Sequence, residues 1–333
     1  MELAINIVAS SLREAESYGV IANHLAQYLA EKGVTVHSFG FDEALTVTLP
    51  PSDGVFYSGP PSLFAPVGKG PHINITMFET SICPDVWIPQ LNKMDAVIVP
   101  SQLCYTAFRE SGVTAPLHRI PLGVGEVYHP VHRNKHKTMR FLAFFDRGIR
   151  KGGLDAVKAF QMAFGDDPRY QLVLKTRGIA PQVILFDNPN ISLIQKDMSA
   201  QELYELYCSC DVLIAPTRGE GWGLLPREFA ATGGIALATN WGGTADNIGQ
   251  WGISIPHAIG KADYATGMPE LAGQALGEWA IPNVEALTDL LKDVVDNREF
   301  YNQFGLRAAE NVRKLYSWSR FSEQAYAVWR GLV

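Results

Sequence analysis

Short apolar runs alternate with segments of helical period along most of the 333 residues, and this alternation restricts the possible folds more than any other feature. LAINIVA at 3–9 predicts a buried strand, and Tyr18–Lys32 follows with apolar residues at helical spacing. Gly33 ends that helix, and Val34–Phe39 is the next candidate strand. Strands and helices in alternation favour a parallel sheet covered by helices.

The same pattern occurs twice, so the length fits two domains of ordinary size. Further strands are predicted in the first half at 73–78, 96–100 and 117–123, and in the second half at 139–145, 170–176, 191–194, 211–216 and 235–239. Between the halves, HPVHRNKHKTM at 129–139 is basic and has no apolar period, which is typical of a solvated linker. The stretch 41–71 is rich in proline and glycine and is predicted to be mostly loop.

Composition argues against several classes of protein. A formal net charge of −6 argues weakly against nucleic acid as the main partner, because phosphate binding usually needs a basic surface, but it leaves a local basic cleft open. The sequence has no run of 18 apolar residues, so no membrane-spanning helix is predicted. MELAINIVASS lacks the basic start of a signal peptide. The four cysteines have no zinc-ligand spacing and are interpreted as reduced thiols. We therefore expect a cytoplasmic protein, with a peripheral membrane patch left open by the 47% apolar content.

The stretch RGEGWGLLPREFAATGG, from Arg218 to Gly234, carries the strongest functional signal. Pro226 suits the first residue of a helix, and the glycines before it allow backbone N–H groups to approach a ligand closely. Free N–H groups and the helix dipole together make an anion site. Glu228 would lie in the first turn and accept hydrogen bonds from a diol such as ribose, while Glu220 would accept from hydroxyls further along the ligand. The stretch therefore suits a polyol that carries phosphate.

At these residues the sequence resembles the retaining glycosyltransferases of GT-B fold, in particular family four (glycosyl transferases group 1). EGWGLLPREFAATGGIALATNWGG is similar to the family pattern EG(F/W)GLPxLEAMAxGxPVxAT…GG, including two glutamates eight positions apart. Three more stretches resemble the family in the same order, at 91–113, 120–124 and 144–160, and MFETSICPDVW at 77–87 is similar to a bacterial and phage subgroup. The resemblance implies two Rossmann-like αβα domains with an interdomain cleft, an acceptor-side domain at 1–130 and a donor domain at 131–318. It also implies that a C-terminal helix at 319–333 crosses back to the first domain.

The resemblance also assigns roles to individual residues. Glu228 would bind the ribose hydroxyls of a nucleotide, and Glu220 the hydroxyls of the donor sugar. Arg147 and Lys151 would bind the diphosphate, although Arg150 leaves the assignment within that triplet open and the spacing from Arg147 to Lys151 is shorter than expected. Backbone N–H groups would contact sugar and phosphate at four positions, namely Gly221, Trp222, Gly223 and Leu224.

The sequence departs from the family at two places in the first half. The family often has a Gly-Gly pair after the first strand, whereas this segment has only Gly19, so Gly19 or Ser17 is a candidate contact for the diphosphate or the acceptor. Many members have a histidine after the strand that corresponds to 73–78, whereas this chain has Glu79. Glu79 is therefore predicted to bind an acceptor hydroxyl or to assist proton movement, with a structural carboxylate as the alternative.

The resulting hypothesis is a metal-independent hexosyltransferase that uses a UDP- or GDP-sugar and needs no cofactor. No Asp-x-Asp metal motif is present, and Asp166-Asp167 is interpreted as a turn. The alternatives are a GT-B-like epimerase, a phage-type DNA-base glycosyltransferase and a non-catalytic nucleotide-sugar binding module. The acceptor stays open among a saccharide, a lipid-linked saccharide and a modified base. The sequence also leaves open the oligomeric state and the base, since base contacts in this fold are often backbone contacts, here near Gln195–Met198.

Overall fold

The computed structural model describes residues 3–131, 133, 138–146, 148–177, 188–263, 271 and 273–333. Contacts divide the chain into two compact units. The first unit comprises Met1–Gly123, Met268–Gly277 and Tyr316–Val333, and the second comprises Val124–Gly267 and Glu278–Leu315. The units are defined by contacts within the folded chain and not by independent folding, so the domain limits 1–130 and 131–318 stay a prediction.

The described strands of the first unit form one six-stranded sheet in which all neighbours are parallel. They are β1 (Ala4–Ala9), β2 (Thr35–Gly40), β3 (Val55–Ser58), β4 (His72–Ile75), β5 (Ala96–Val99) and β6 (Leu117–Arg119), in the order β2-β1-β3-β4-β5-β6. The helices that follow them are α1 (Ser17–Glu31), α2 (Phe41–Ala44), α3 (Ile88–Leu91) and α4 (Gln102–Glu110). β3, β4 and β5 are buried at every position, as expected of parallel strands with both faces covered.

The second unit repeats this architecture. Its described strands are β7 (Met139–Phe144), β8 (Tyr170–Thr176), β9 (Ile191–Gln195), β10 (Val212–Ala215), β11 (Ile235–Thr239) and β12 (Ile253–Ile255), in the parallel order β12-β11-β10-β7-β8-β9. A separate antiparallel pair is formed by β13 (His257–Lys261) and β14 (Glu278–Pro282). The helices are α5 (Gly153–Phe164), α6 (Ala200–Cys208), α7 (Leu224–Ala231), α8 (Ile248–Trp251), α9 (Val284–Asp296) and α10 (Arg298–Leu315).

The last helix, α11 (Trp318–Arg330), belongs to the first unit, where it packs against α1. Trp318 stacks on His24 with ring centroids 4.6 Å apart, and Trp329 is fully buried. In the described part of the chain, no helix is long and apolar enough to cross a membrane.

The predicted strands occur in the predicted order, but the sequence analysis missed β12, β13 and β14 at the end of the second unit and one strand in the first unit. The stretch 41–71 was predicted to be mostly loop but contains α2, β3 and a 3₁₀ turn at Pro61–Leu63. β3 has four residues, Val55–Ser58, and lies in the middle of the sheet between β1 and β4. Four buried residues are too few to show the hydrophobic period of a strand, and the glycines and prolines on both sides favoured the interpretation as a loop.

The interpretation of 129–139 as a solvated linker was wrong for Arg133. Its guanidinium donates to the carbonyl oxygens of Cys210, Thr232 and Tyr207 and to the Thr232 hydroxyl, at 2.6–3.2 Å. It also lies 5.5 Å from the ring centre of Phe229. Arg133 therefore joins the end of α7 to the end of α6.

Candidate functional site at the carboxyl edge of the second sheet

Three neighbouring parallel strands of the second unit end at the same edge of the sheet. β10 lies between β7 and β11, so the loops that follow these strands, at 145–152, 216–223 and 240–247, are adjacent. The carboxyl edge of an open parallel sheet is where such folds bind ligands. Most of the residues predicted for the donor site lie on these loops or on α7.

Glu220 lies at the centre of a buried charge cluster that joins two of these loops. Its Oε1 accepts a hydrogen bond from Lys151 Nζ at 2.6 Å and lies 3.3 Å from Arg150 Nη1. The Thr217 hydroxyl also lies 3.3 Å from this oxygen. Burial raises the pKa of Glu220, but the charges of Lys151 and Arg150 outweigh burial, and the net direction is downward. Glu220 is therefore an ionised carboxylate held between two cations.

Hydrogen bonds fix the loop that carries Arg150 and Lys151 against the loop after β10. The Arg218 N–H donates to the Arg150 carbonyl oxygen at 2.7 Å, and the Arg150 guanidinium donates to the Gly219 carbonyl oxygen at 2.7 Å. Gly152 has a φ of 69°, and a Cβ there would collide with the Pro216 carbonyl. Arg147, which was predicted to bind diphosphate, lies outside the described residues. Of the three cations in RGIRK, the structure thus places Arg150 and Lys151 at Glu220.

The glycine loop after β10 packs directly on the loop after β11. The Gly243 N–H donates to the Glu220 carbonyl oxygen at 2.7 Å. A Cβ on Gly243 would lie 2.4 Å from the Gly221 carbonyl oxygen and 2.5 Å from the Trp222 Cα. Gly243 therefore allows the two backbones to touch, and substitution there must displace one of them.

The start of α7 differs from the prediction. The helix begins at Leu224, two residues before Pro226, because Gly223 adopts the left-handed conformation with a φ of 85° and turns the chain into the helix. Pro226 is then the third helical residue, where an N–H is still without an intrahelical acceptor. Glu228 is the fifth residue of α7, so the prediction that it lies in the first turn was wrong.

Glu228 lies in a buried aromatic pocket instead. It is 7% exposed, and the Tyr207 hydroxyl donates to its Oε2 at 3.4 Å. Tyr128 packs against Tyr207 with ring centroids 5.7 Å apart. Burial raises the pKa of Glu228 to about 7, and the bond from Tyr207 offsets only part of that effect. Glu228 therefore changes its charge near neutral pH, in contrast to Glu220.

Arg227, which the sequence analysis did not single out, is completely buried between two indole rings. Its guanidinium carbon lies 3.8 Å from the ring centre of Trp222 and 4.6 Å from that of Trp251. The family pattern has leucine at this position, between the proline and the second glutamate. A charged residue at an apolar position of the pattern was the signal that could have identified it.

Other groups at this edge hold the neighbouring loops in place. Asp146 Oδ1 accepts from the Thr176 hydroxyl at 2.7 Å and from the Arg177 N–H at 2.9 Å. Lys175 Nζ donates to the Lys196 carbonyl oxygen at 2.7 Å, within the segment predicted to contact a base. Burial lowers the pKa of Lys175. These contacts join residues far apart in sequence, which is why no local pattern indicated them.

The predicted residues of the first half lie in the first unit. Glu79 is half-buried in the bend that follows β4. The Tyr18 hydroxyl donates to the Met77 carbonyl oxygen at 3.2 Å, two residues before Glu79. Ser17 is exposed at the start of α1, while Gly19 is buried, and a Cβ there would lie 2.3 Å from the Arg13 carbonyl oxygen. Close packing on Arg13 by itself accounts for glycine at position 19.

Among the described residues, no group of three or more His, Cys, Asp or Glu side chains could hold a metal ion. Asp167 lies in the turn between α5 and β8, where its carboxylate pairs with Arg169 at 2.6 Å. The predicted roles of the site residues as ligand contacts stay predictions.

The sequence matches no protein-family model and no curated protein. Solved structures, in contrast, share its fold. A sucrose-phosphate synthase from Thermosynechococcus elongatus is 15% identical, covers 99% of both chains and has a TM-score of 0.74. A glycosyltransferase from Rickettsia africae ESF-5 is 13% identical, covers 99% of this chain and 98% of its own, and has a TM-score of 0.71.

A third similar structure contains bound ligands. A mutant of S. aureus TarM in complex with Fondaparinux, alpha-GlcNAc-glycerol and UDP is 14% identical, with a TM-score of 0.63 over 93% of this chain and 58% of that one. Identities this low show the fold alone. Together with the two six-stranded parallel sheets of the described residues, these likenesses confirm the prediction of an α/β protein of GT-B fold.

Proposed function

We propose that this chain is a retaining, metal-independent glycosyltransferase that moves a hexose from a UDP- or GDP-sugar to an acceptor hydroxyl. The cluster of Glu220, Lys151 and Arg150 carries the proposal, because it places a carboxylate and two cations beside a glycine loop at the ligand-binding edge of the sheet. The resemblance to family four and the GT-B fold support the same reaction class.

Each group in the cluster has a task that suits its chemistry. Glu220 is ionised and accepts hydrogen bonds from hydroxyls of the donor sugar. Lys151 and Arg150, with Arg147 as a third candidate, stabilise the negative charge that grows on the diphosphate as the glycosidic bond breaks. Cations can perform this task without a metal ion.

Glu228 and the backbone would hold the nucleotide. The carboxylate of Glu228 accepts hydrogen bonds from the two ribose hydroxyls, and the N–H groups of Gly221, Trp222, Gly223 and Leu224 contact sugar and phosphate. The acceptor hydroxyl attacks the anomeric carbon of the donor sugar from the side on which the diphosphate leaves. The departing phosphate oxygen takes the proton of that hydroxyl. Catalysis is then mainly positioning and electrostatic stabilisation. Glu79 remains a candidate for binding the acceptor hydroxyl.

A release assay tests the proposal. Purified protein is mixed without added metal with UDP-glucose, UDP-galactose, UDP-N-acetylglucosamine or GDP-mannose, and the freed nucleotide is measured. UDP-sugars are tested first because UDP is bound in the TarM complex. We expect slow release from one donor, and a rate at least tenfold lower in Lys151→Ala and Glu228→Ala.

A matched control separates catalysis from general damage. Arg169→Ala also removes the cation of a 2.6 Å ion pair in the second unit, but Arg169 precedes β8 at the opposite edge of the sheet. We expect its release rate to equal that of the wild type. A donor that raises the melting temperature but is never turned over, with saccharide, lipid-linked or DNA acceptors, would favour the binding module instead. Binding of no donor would contradict the proposal.

A further inference from the structure

Arg227 holds together the two glycine loops on which the donor site is built. Its Nη1 donates to the carbonyl oxygens of Trp222 and, at 3.3 Å, Gly223, in the loop after β10. Its Nη2 donates to the carbonyl oxygens of Gly243 at 2.8 Å and Asp246 at 3.1 Å, in the loop after β11. One guanidinium thus binds four carbonyl oxygens from two loops.

The planar shape of the side chain makes this arrangement possible. Arginine presents its donors in a fixed fork, whereas a lysine ammonium is a compact point charge on a flexible chain. The ring centres of Trp222 and Trp251 lie 3.8 Å and 4.6 Å from the guanidinium carbon, and this packing restricts rotation of the fork. Arg227 is 0% exposed, and its donors therefore serve acceptors inside the protein and not a ligand.

The direction of these carbonyl groups determines the direction of the adjacent N–H groups. In a trans peptide the C=O and the following N–H point in opposite directions, and no described peptide bond is cis. Because the Trp222 and Gly223 carbonyls point at Arg227, the N–H groups of Gly223 and Leu224 point away from it. By the same geometry, the Gly243 carbonyl directs the N–H of Thr244 away from Arg227.

We infer that Arg227 is a positioning residue that aims these backbone N–H groups at the diphosphate of the donor. The inference rests on the proposed function, which supplies the anionic ligand. Arg227 also places a fixed positive charge behind the N–H groups, which strengthens the attraction of the site for phosphate. The pattern of this fold family has leucine here, so the device is a feature of this chain rather than of the pattern.

The experiment compares ligands with and without phosphate. Dissociation constants for UDP and uridine are measured by calorimetry and ligand-observed NMR on the wild type, Arg227→Lys and Arg227→Leu, with GDP and guanosine as the alternative pair. If Arg227 aims the N–H groups, both variants weaken binding of the diphosphate at least tenfold and binding of the nucleoside much less. Lysine retains the charge but not the fork, so Arg227→Lys should lose less affinity for the diphosphate than Arg227→Leu.

Arg133 provides the matched control for a purely structural role. It also donates to three backbone carbonyls and packs on an aromatic ring, but at the opposite end of α7. Arg133→Leu should lower the melting temperature and leave the ratio of nucleoside to diphosphate affinity unchanged. An unchanged ratio in the Arg227 variants as well would overturn the inference while leaving the proposed function intact.

A measurement on the wild type covers the case in which the Arg227 variants fail to fold. Protein labelled with ¹⁵N at glycine, leucine and threonine is titrated with UDP, and then with GDP if UDP does not bind. We expect the amide signals of Gly223, Leu224 and Thr244 to shift on binding. Nucleotide binding with these signals unmoved overturns the inference alone, and a wild type that binds neither nucleotide overturns the proposed function together with it.

Discussion

Glu220 and Glu228 are both buried carboxylates, yet their neighbours give them opposite protonation behaviour. The charges of Lys151 and Arg150 outweigh the burial of Glu220 and keep its pKa below the usual value. Glu228 has aromatic neighbours and a single hydrogen bond from Tyr207, so burial raises its pKa to about 7. Two identical side chains eight residues apart therefore differ in charge state below neutral pH because of what surrounds them.

The raised pKa of Glu228 predicts a loss of stability as the pH rises. Between about pH 4.5 and about pH 7, the unfolded chain releases a proton that the folded chain keeps, so the free energy of unfolding falls over this window. Glu228→Gln has no such proton. Its stability relative to the wild type should increase by on the order of 3 kcal/mol across the window and then level off. Urea unfolding of both proteins at pH 5 and pH 8 measures this difference.

Glu202→Gln is the control for that measurement. The hydrogen bond from Lys196 lowers the pKa of exposed Glu202 to about 2, so its contribution to stability is lost only as the pH falls toward that value. Between pH 5 and pH 8, the difference in free energy of unfolding between Glu202→Gln and the wild type should stay constant. If the difference between Glu228→Gln and the wild type also stays constant, the carboxyl of Glu228 is not buried in the way described.

At the scale of elements, the contact between the loops after β10 and β11 sets the geometry of the site. Gly243→Ala would place a methyl group 2.4–2.5 Å from backbone atoms of Gly221 and Trp222, which no side-chain rotation can relieve. We expect a loss of about 1–3 kcal/mol in the free energy of unfolding, together with weaker nucleotide binding. Denaturant unfolding and UDP or GDP titration of the same variant measure the two effects.

Gly249→Ala is the matched control, because no atom beyond its chain neighbours and the backbone of its own helix lies within 4 Å of the Cβ it would add, and the residue lies within α8. We expect this variant to be as stable as the wild type or slightly more so, since alanine favours a helix. Equal effects of the two substitutions would show that the loops tolerate separation, and the described packing of Gly243 would then be wrong.

The elements were predictable from the sequence where a local pattern was long enough. YQLVLKT at 170–176 and IALAT at 235–239 are strands with the predicted bounds, because each is a complete apolar run between breakers. The bounds of α7 were missed because the left-handed turn at Gly223 extends the helix toward its N-terminus. The partners of Glu220 and the role of Arg227 depend on contacts between separate loops, and no local pattern determines such contacts.

At the scale of the whole molecule, the first unit is discontinuous in sequence. Its sheet comes from the first 123 residues, but α11 packs on α1 and buries Trp318, Phe321 and Trp329, which are 6%, 1% and 0% exposed. Full burial of one large apolar side chain contributes roughly 1.5–3 kcal/mol, so the helix contributes a large share of the stability of a small domain. A fragment limited to 1–130 would lack this helix.

Removal of α11 should therefore unfold the first unit and leave the second. A chain that ends at Leu315 retains every residue of the second unit, and we expect it to lose one unfolding transition and to bind a hydrophobic dye. A chain that ends at Gly331 is the control, because it removes only Leu332 and Val333, which are 40% and 67% exposed. Calorimetry of the three chains counts the transitions. If the chain that ends at Leu315 unfolds like the full chain, α11 is dispensable, and residues 1–130 can form a domain without it.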